Sequence, residues 1–150
     1  MIELLGNLGD FVGGIAVLVT IGYLAVQLRA STIANRRATY QDLLNHQAQL
    51  NLVVLSDDAV ANLLAKNRES GVEGLEPTEI SRVFGFYATL FRHMENAYQQ
   101  QKEGSISETQ LQQLSTILPQ ALVRAEAWQV LKDSFSEDYQ DYVETFFPTA

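Results

Sequence analysis

The chain has 150 residues, no cysteine and a formal net charge of −8. The lack of cysteine excludes disulfides, thiol catalysis and thiolate metal sites, and the acidic balance argues against nucleic-acid binding, which needs a basic face to neutralise phosphates. The charge is uneven: −2 over residues 1–28, +3 over 29–41, −1 over 42–56 and −8 over 57–150.

The stretch Phe11–Leu28 contains no charged side chain and is followed directly by Arg29. At about 1.5 Å per residue a helix of this length covers about 27 Å, close to the roughly 30 Å hydrocarbon thickness of a bilayer. We therefore predict a single transmembrane helix. A buried core helix of a soluble protein is disfavoured by the length of the uncharged run.

The charges on the two sides of this helix predict its orientation. Residues 1–10 carry two acidic side chains and no Lys or Arg, whereas Arg29, Arg36 and Arg37 follow the span. A secretory signal peptide would begin with a basic region, so the pattern argues against one. Because basic residues flank the cytoplasmic end of a span, we expect the N-terminus outside a bacterial inner membrane and the rest of the chain in the cytoplasm. The three arginines are expected to contact anionic lipid head groups.

Small or polar residues recur at heptad spacing along one face of the predicted span. The residues of this face, called the small-residue stripe below, are Gly6, Gly9, Gly13, Ala16, Thr20, Tyr23 and Gln27. Helices associate in lipid through close backbone packing and interhelical hydrogen bonds, which small residues permit. The stripe therefore predicts a homo-oligomer. The alternative is an unpaired anchor with incidental glycines, since glycine is common in membrane helices.

The same stripe has a second interpretation, a narrow pore. Thr20 and Gln27 would line it, with Asp10 at one mouth and Arg29 at the other. Against this, Phe11–Leu28 contains no acidic, basic or histidine residue, and such residues are the usual mark of a transport pathway.

After the span the sequence predicts a stem helix that runs on without Gly or Pro and ends near Leu55. Its apolar positions recur at three- and four-residue steps, which predicts one buried side made of Tyr40, Leu43, Leu44, Ala48, Leu52 and Leu55. The run Ser56-Asp57-Asp58 is typical of a helix start, and the next helix is expected over Asp58–Glu69, before a loop at Gly71 and Gly74.

Helix starts and breakers divide the rest of the chain. The most apolar soluble helix is predicted to open at Glu76-Pro77 and to run to about Lys102, where Gly104 stops it. Ser107 then caps a helix that Pro119 interrupts. A short helix around Ala125–Asp133 carries Trp128, and Ser136 caps a last helix over Glu137–Phe147.

No segment shows convincing strand alternation bounded by turns. The predicted fold is therefore all-α: one N-terminal transmembrane helix that continues into a stem helix, then a small bundle of about five further helices. The expected organisation is an N-terminal segment with the transmembrane helix over residues 1–28, a juxtamembrane stem over 29–56 and a cytoplasmic helical domain over 57–150.

Few side chains suggest chemistry. His46 and His93 are far apart in the sequence and have no partner at a metal-binding spacing such as HExxH, so we expect no metal site. Arg92 and Glu95 stand three residues apart and either form an ion pair or belong to a ligand-binding or acid/base group. GxSxG, P-loop and GxGxxG motifs are missing, so the sequence predicts no catalytic residue, no cofactor and no enzyme.

Two stretches at the start, Gly9–Val17 and Tyr23–Arg29, resemble the opening of a large group of uncharacterised bacterial membrane proteins. The likeness returns late in the chain, at Trp128 before Phe135-Ser136 and at the pair Tyr142-Val143, and it covers essentially the whole length. Gln112 departs from it, since an aromatic residue is expected there. The resemblance implies one span and a helical domain in a bacterial inner membrane, and it implies no catalytic or binding residues.

Together these patterns lead to one functional hypothesis and one alternative. The first is a homo-oligomeric single-pass membrane protein whose cytoplasmic helical domain is an interaction or sensory module. Its expected partners are further copies of itself, membrane lipids and a cytoplasmic protein, and not nucleic acid. The alternative is an oligomeric channel lined by the Gly/Thr/Gln face.

Overall fold

The structure, a computed structural model, describes the backbone of residues 2–121 and 126–147 and the side chains of residues 13–119 and 126–147. Within these ranges the chain is all-α, with short 3-10 turns and no strand, and it consists of a long N-terminal helix followed by a small helical bundle. The predicted fold class is confirmed. The chain divides into two compact units, residues 1–38 and 39–150.

The first helix, α1, runs from Ile2 to Ser56, so the stem ends where the sequence predicts. In the first unit its large apolar side chains have no cover: those between Ile15 and Leu28 are 47–71% exposed. By length and composition α1 is able to cross a membrane, and it is the candidate span that the described residues contain.

In the second unit α1 contributes to the core through part of the predicted stripe: Tyr40, Leu43 and Leu44 lie in the core or pack against it, as predicted. Leu43 is buried, 4% exposed, and Leu50 and Val54 are half-buried. The predicted core positions that are exposed instead are Ala48, Leu52 and Leu55. Leu43, Leu50 and Val54 are spaced by seven and four positions and therefore lie on one side of the helix.

The second helix, α2, spans Asp58–Ser70. Asp57 caps its start, since its Oδ1 accepts hydrogen bonds from the backbone N–H groups of Ala59 at 2.8 Å and Val60 at 3.3 Å. Gly71 ends the helix at φ 67°, a conformation that favours glycine, and its N–H donates to the Asn67 carbonyl. A 3-10 turn, Val72–Gly74, follows.

Replacing Asp57 by alanine is expected to lower the free energy of unfolding by about 1 kcal/mol, because two N-terminal N–H groups lose their acceptor. Asp58→Ala is the matched control: it removes the same charge from the same helix end but leaves the cap in place. Urea titration of both variants measures the difference. Equal losses would show that charge at the helix end, and not the cap, stabilises α2.

The third helix, α3, spans Pro77–Lys102 and forms the centre of the second unit, as predicted. A capping box of Glu76 and Glu79 begins it. Its buried side chains are Val83, Tyr87, Leu90, Phe91, His93, Met94 and Ala97. Gly104, at φ 74°, lies just beyond its end.

Two predicted boundaries in the last third of the chain are displaced. Helix α4 spans Glu108–Leu114, a 3-10 turn covers Ser115–Ile117, and α5 spans Leu118–Ala121. The helix is thus interrupted one turn before Pro119. The reason is that proline has no N–H to donate to the carbonyl of residue 115, and its ring clashes with that carbonyl oxygen. The tighter turn at that carbonyl relieves the clash.

The last helices are short and bring aromatic rings together. Helix α6 spans Glu126–Leu131, a 3-10 turn covers Lys132–Ser134, and α7 spans Glu137–Glu144, ending before the predicted Phe147. Ala125, where the sixth helix was expected to begin, lies outside the described residues.

Trp128 lies at the centre of an aromatic cluster. Its ring centroid is 5.0 Å from that of Phe91, 5.6 Å from that of Phe135 and 6.2 Å from that of Tyr139. Trp128 and Tyr139 are fully buried, and burial raises the pKa of the Tyr139 phenol. The cluster joins α3, α6 and α7 into one core.

Candidate functional site

The first candidate site is the small-residue stripe of α1. Ala16, Thr20, Tyr23 and Gln27 are exposed, and a Cβ atom added at Gly13 would meet no described atom within 4 Å outside the helix backbone. The same open space surrounds the off-stripe glycines 14 and 22. No contact within the described chain therefore accounts for these glycines.

Other predicted residues of this region lie along the same helix. Arg29, Arg36 and Arg37 are exposed beyond the apolar segment. For Gly6, Gly9 and Asp10 the structure gives the helical backbone, and their side-chain surroundings lie outside the described residues.

Thr20 has a specific partner. Its hydroxyl donates a hydrogen bond to the carbonyl of Ala16 at 2.8 Å, one turn back in the same helix. This arrangement satisfies a hydroxyl in an apolar helix without an outside partner. It also engages the one hydrogen that the Thr20 hydroxyl would donate to water in a pore.

The second candidate site was not expected from the sequence. The structure brings the rings of His46, on α1, and His93, on α3, to a centroid separation of 4.9 Å with 65° between the ring planes. His46 is exposed and covers His93, which is 2% exposed. We call these two residues the histidine pair.

His93 is buried, and neither of its ring nitrogens has a hydrogen-bond partner among the described residues; Trp128 Nε1 and Tyr139 Oη are buried without a partner in the same way. Burial, and to a smaller extent the neighbouring His46, lowers the pKa of His93 from 6.5 to about 4. The imidazole is therefore neutral near pH 7. Both nitrogens face surroundings that do not satisfy them.

Two clefts adjoin the histidine pair. The larger, about 670 Å³, is lined by His46, Ala88, Thr89, Arg92, His93, Glu95, Asn96 and Gln99. The smaller, about 290 Å³, is lined by Thr39, Asp42, Leu43, His46, Asn96 and Gln100. Since His46 and Asn96 line both clefts, the pair is bordered by polar side chains on two sides.

The two charged residues beside the pair have structural partners. Arg92 Nη1 lies 2.6 Å from Glu95 Oε2, so the predicted ion pair is confirmed. Arg92 also donates to the Ser134 carbonyl at 3.2 Å, and its guanidinium lies 4.4 Å from the ring centroid of Phe135. Glu95 accepts a hydrogen bond from the Ser136 N–H at 2.9 Å. These contacts attach the start of α7 to α3.

A third region consists of two apolar clefts, about 340 and 490 Å³, bordered by the end of α1, by α2 and by α3. Leu64 and Phe86 line both. They contain no cluster of titratable groups that suggests catalysis.

Comparison with protein-family models, with curated proteins and with solved structures finds no match to this chain.

Proposed function

We propose that the protein is a homo-oligomeric single-pass membrane protein whose residues 57–150 form an interaction or sensory module. In this proposal α1 crosses a bacterial inner membrane, its N-terminus lies outside and the helical domain lies in the cytoplasm. The partners are further copies of the chain, membrane lipids and a cytoplasmic protein.

The observation that carries the proposal is the exposure of α1. Nine large apolar side chains between Ile15 and Leu28 are uncovered, without a charged residue among them. At roughly 1 kcal/mol or more for each side chain removed from water, covering them is worth on the order of 10 kcal/mol. That is comparable with the whole net stability of a small domain, and a bilayer supplies such a cover along the full length of the segment.

The glycines support self-association. A glycine in a helix interior costs about 0.5–1 kcal/mol relative to alanine, and no contact within the described chain accounts for Gly13. An open backbone on the small-residue stripe permits the close approach of a second helix. The hydroxyl of Thr20 already donates within its own helix, which favours helix packing over a water-lined pore.

The three arginines support the orientation. Arg29, Arg36 and Arg37 are exposed on the part of α1 that follows the uncharged segment, where they would meet the head groups of the cytoplasmic leaflet.

Replacing Gly13 by leucine is expected to weaken self-association at least tenfold, about 1.4 kcal/mol, because the new side chain fills the space into which a second helix packs. Gly14→Leu is the matched control: the residue is also an open glycine of the same helix but lies off the stripe. Energy transfer between labelled copies in lipid vesicles measures both.

The proposal of a stripe-mediated oligomer fails if the parent chain shows no energy transfer above that of random co-localisation. It fails equally if the two leucine variants weaken association to the same extent, because the stripe would then have no special role.

A further inference from the structure

We propose that the histidine pair, His46 and His93, is a binding site for a borderline transition-metal ion of the Zn²⁺, Ni²⁺ or Cu²⁺ class. This site goes beyond the function proposed above and does not depend on it, because all of its residues lie in the second compact unit.

The first argument is the state of His93. A buried polar group without a hydrogen bond costs about 1–3 kcal/mol, and an apolar side chain of similar shape at the same position would avoid this cost. His93 is nevertheless buried, with both nitrogens unpartnered in the part of the chain that the structure describes. An unsatisfied group of this kind needs an explanation, and because neutral imidazole is the commonest protein ligand for metal ions, a bound ion would supply one.

The second argument is the distance between the rings. Two imidazoles that hold one tetrahedral metal ion at about 2.0–2.1 Å from each nitrogen have their centroids about 5 Å apart. The observed separation is 4.9 Å. The spacing of α1 and α3 at this point therefore suits two coordinating imidazoles. Coordination would require the rings to turn until one buried nitrogen of His93 and one nitrogen of His46 face the same ion.

The third argument is the charge of the cleft. The nearest fixed cation, Arg92, lines the same cleft, but its charge is paired with Glu95 at 2.6 Å. The cleft therefore does not repel a divalent ion as an isolated arginine would.

The rest of the coordination sphere determines which ions bind. Among the residues with described side chains, no group of three His, Asp or Glu is placed to hold one ion, so the pair supplies two protein ligands. Asn96 lines both clefts with His46. In this proposal its amide oxygen and water molecules complete the coordination sphere. Imidazole ligands favour borderline ions, and their affinity is higher for Cu²⁺ than for Ni²⁺ or Zn²⁺. Mg²⁺ and Ca²⁺ prefer oxygen ligands and are not expected to bind.

The test is isothermal titration of the untagged full chain in detergent, freed of metal by a chelator, with NiCl₂, ZnCl₂ and MgCl₂. We expect saturable binding of one Ni²⁺ or Zn²⁺ per chain and none of Mg²⁺. Zn²⁺ at about 100 times its Kd is expected to raise the melting temperature by roughly 5 °C or more.

Variants identify the ligands. His93→Phe and His46→Phe are each expected to weaken Ni²⁺ and Zn²⁺ binding tenfold or more and to abolish the rise in melting temperature. Gln99→Ala, which alters the same cleft without removing an imidazole, is the control and should bind as the parent chain does. Because His46 is exposed, its variant is expected to fold even if the His93 variant does not.

Two results would overturn the proposal. The first is an absence of saturable Ni²⁺ and Zn²⁺ binding, which would leave the pair as an edge-to-face packing contact only. The second is binding that His46→Phe leaves unchanged, which would place the ion elsewhere on the chain.

Discussion

Replacing Trp128 by alanine is expected to lower the free energy of unfolding by about 3–5 kcal/mol, the largest effect of any single substitution considered. Small domains have only about 5–15 kcal/mol in total, so the variant should be close to unfolding at room temperature. The reason is the position of the ring. Trp128 is fully buried and contacts Phe91 on α3 as well as Phe135 and Tyr139 near the last helix. Its removal leaves a cavity where three helices meet.

Val130→Ala is the matched control, since Val130 lies on the same helix and is 64% exposed. We expect it to change the free energy of unfolding by less than about 0.5 kcal/mol. Urea titration followed by helical circular dichroism in mild detergent measures both variants. Fluorescence is unsuitable because Trp128 is the only tryptophan. Similar midpoints for the two variants would show that the cluster is not the centre of the core.

Lowering the pH from 6.5 to about 4 is expected to destabilise the metal-free protein by at most about 3 kcal/mol through His93 alone. The sign follows from the pKa of His93, which burial lowers to about 4 in the folded state. As the pH falls, the unfolded chain takes up this proton near 6.5, whereas the folded chain does so only near 4. The unfolded state therefore binds more protons within this window, and stability falls by up to about 1.4 kcal/mol per pH unit.

Other ionisable or charged side chains line the same cleft as His93, namely His46, Arg92 and Glu95. The contribution of His93 is therefore isolated by comparing the parent chain with His93→Phe. The free energy of unfolding of each is measured by urea titration at several pH values between 7.5 and 4.5, in the presence of a chelator. The variant should show a shallower pH dependence. Near pH 7 it should be as stable as the parent or more so, because two unsatisfied nitrogens are removed. Parallel curves for the two chains would show that His93 is not kept neutral by the fold.

Most helix boundaries could be predicted because they are encoded locally. Asp57 and Ser107 cap helices through their own side chains, and Gly71 and Gly104 end helices at positive φ. Such signals depend on three or four neighbouring residues, so they mark the end of a helix regardless of which elements pack against it.

The wrong predictions concern features that depend on tertiary packing, such as which side of α1 is buried. The segment that ends α1, from Leu50 to Leu55, offers two apolar stripes of similar quality, one through Leu52 and Leu55 and one through Leu50 and Val54. Which one is buried depends on the side from which α2 and α3 approach. The pattern within one helix does not contain that information.

The histidine pair shows the same limit for a site. Each histidine follows a core leucine by three residues: His46 follows Leu43, and His93 follows Leu90. That spacing places both rings on or beside a buried stripe, which was a usable signal for burial. Their contact, however, depends on how α1 packs against α3, and the spacing of residues within each helix does not predict it.

The proposed function requires that α1 crosses a bilayer, and the lack of native cysteine allows a direct test of this requirement. Two single-cysteine variants are needed, Asn7→Cys before the uncharged segment and Glu73→Cys in the exposed turn after α2. Both are treated with a membrane-impermeant maleimide in intact spheroplasts and again after lysis. We predict that position 7 is labelled in intact cells and that position 73 is labelled only after lysis. Equal labelling of the two positions before lysis, or protection of both until lysis, would contradict a helix that spans the membrane.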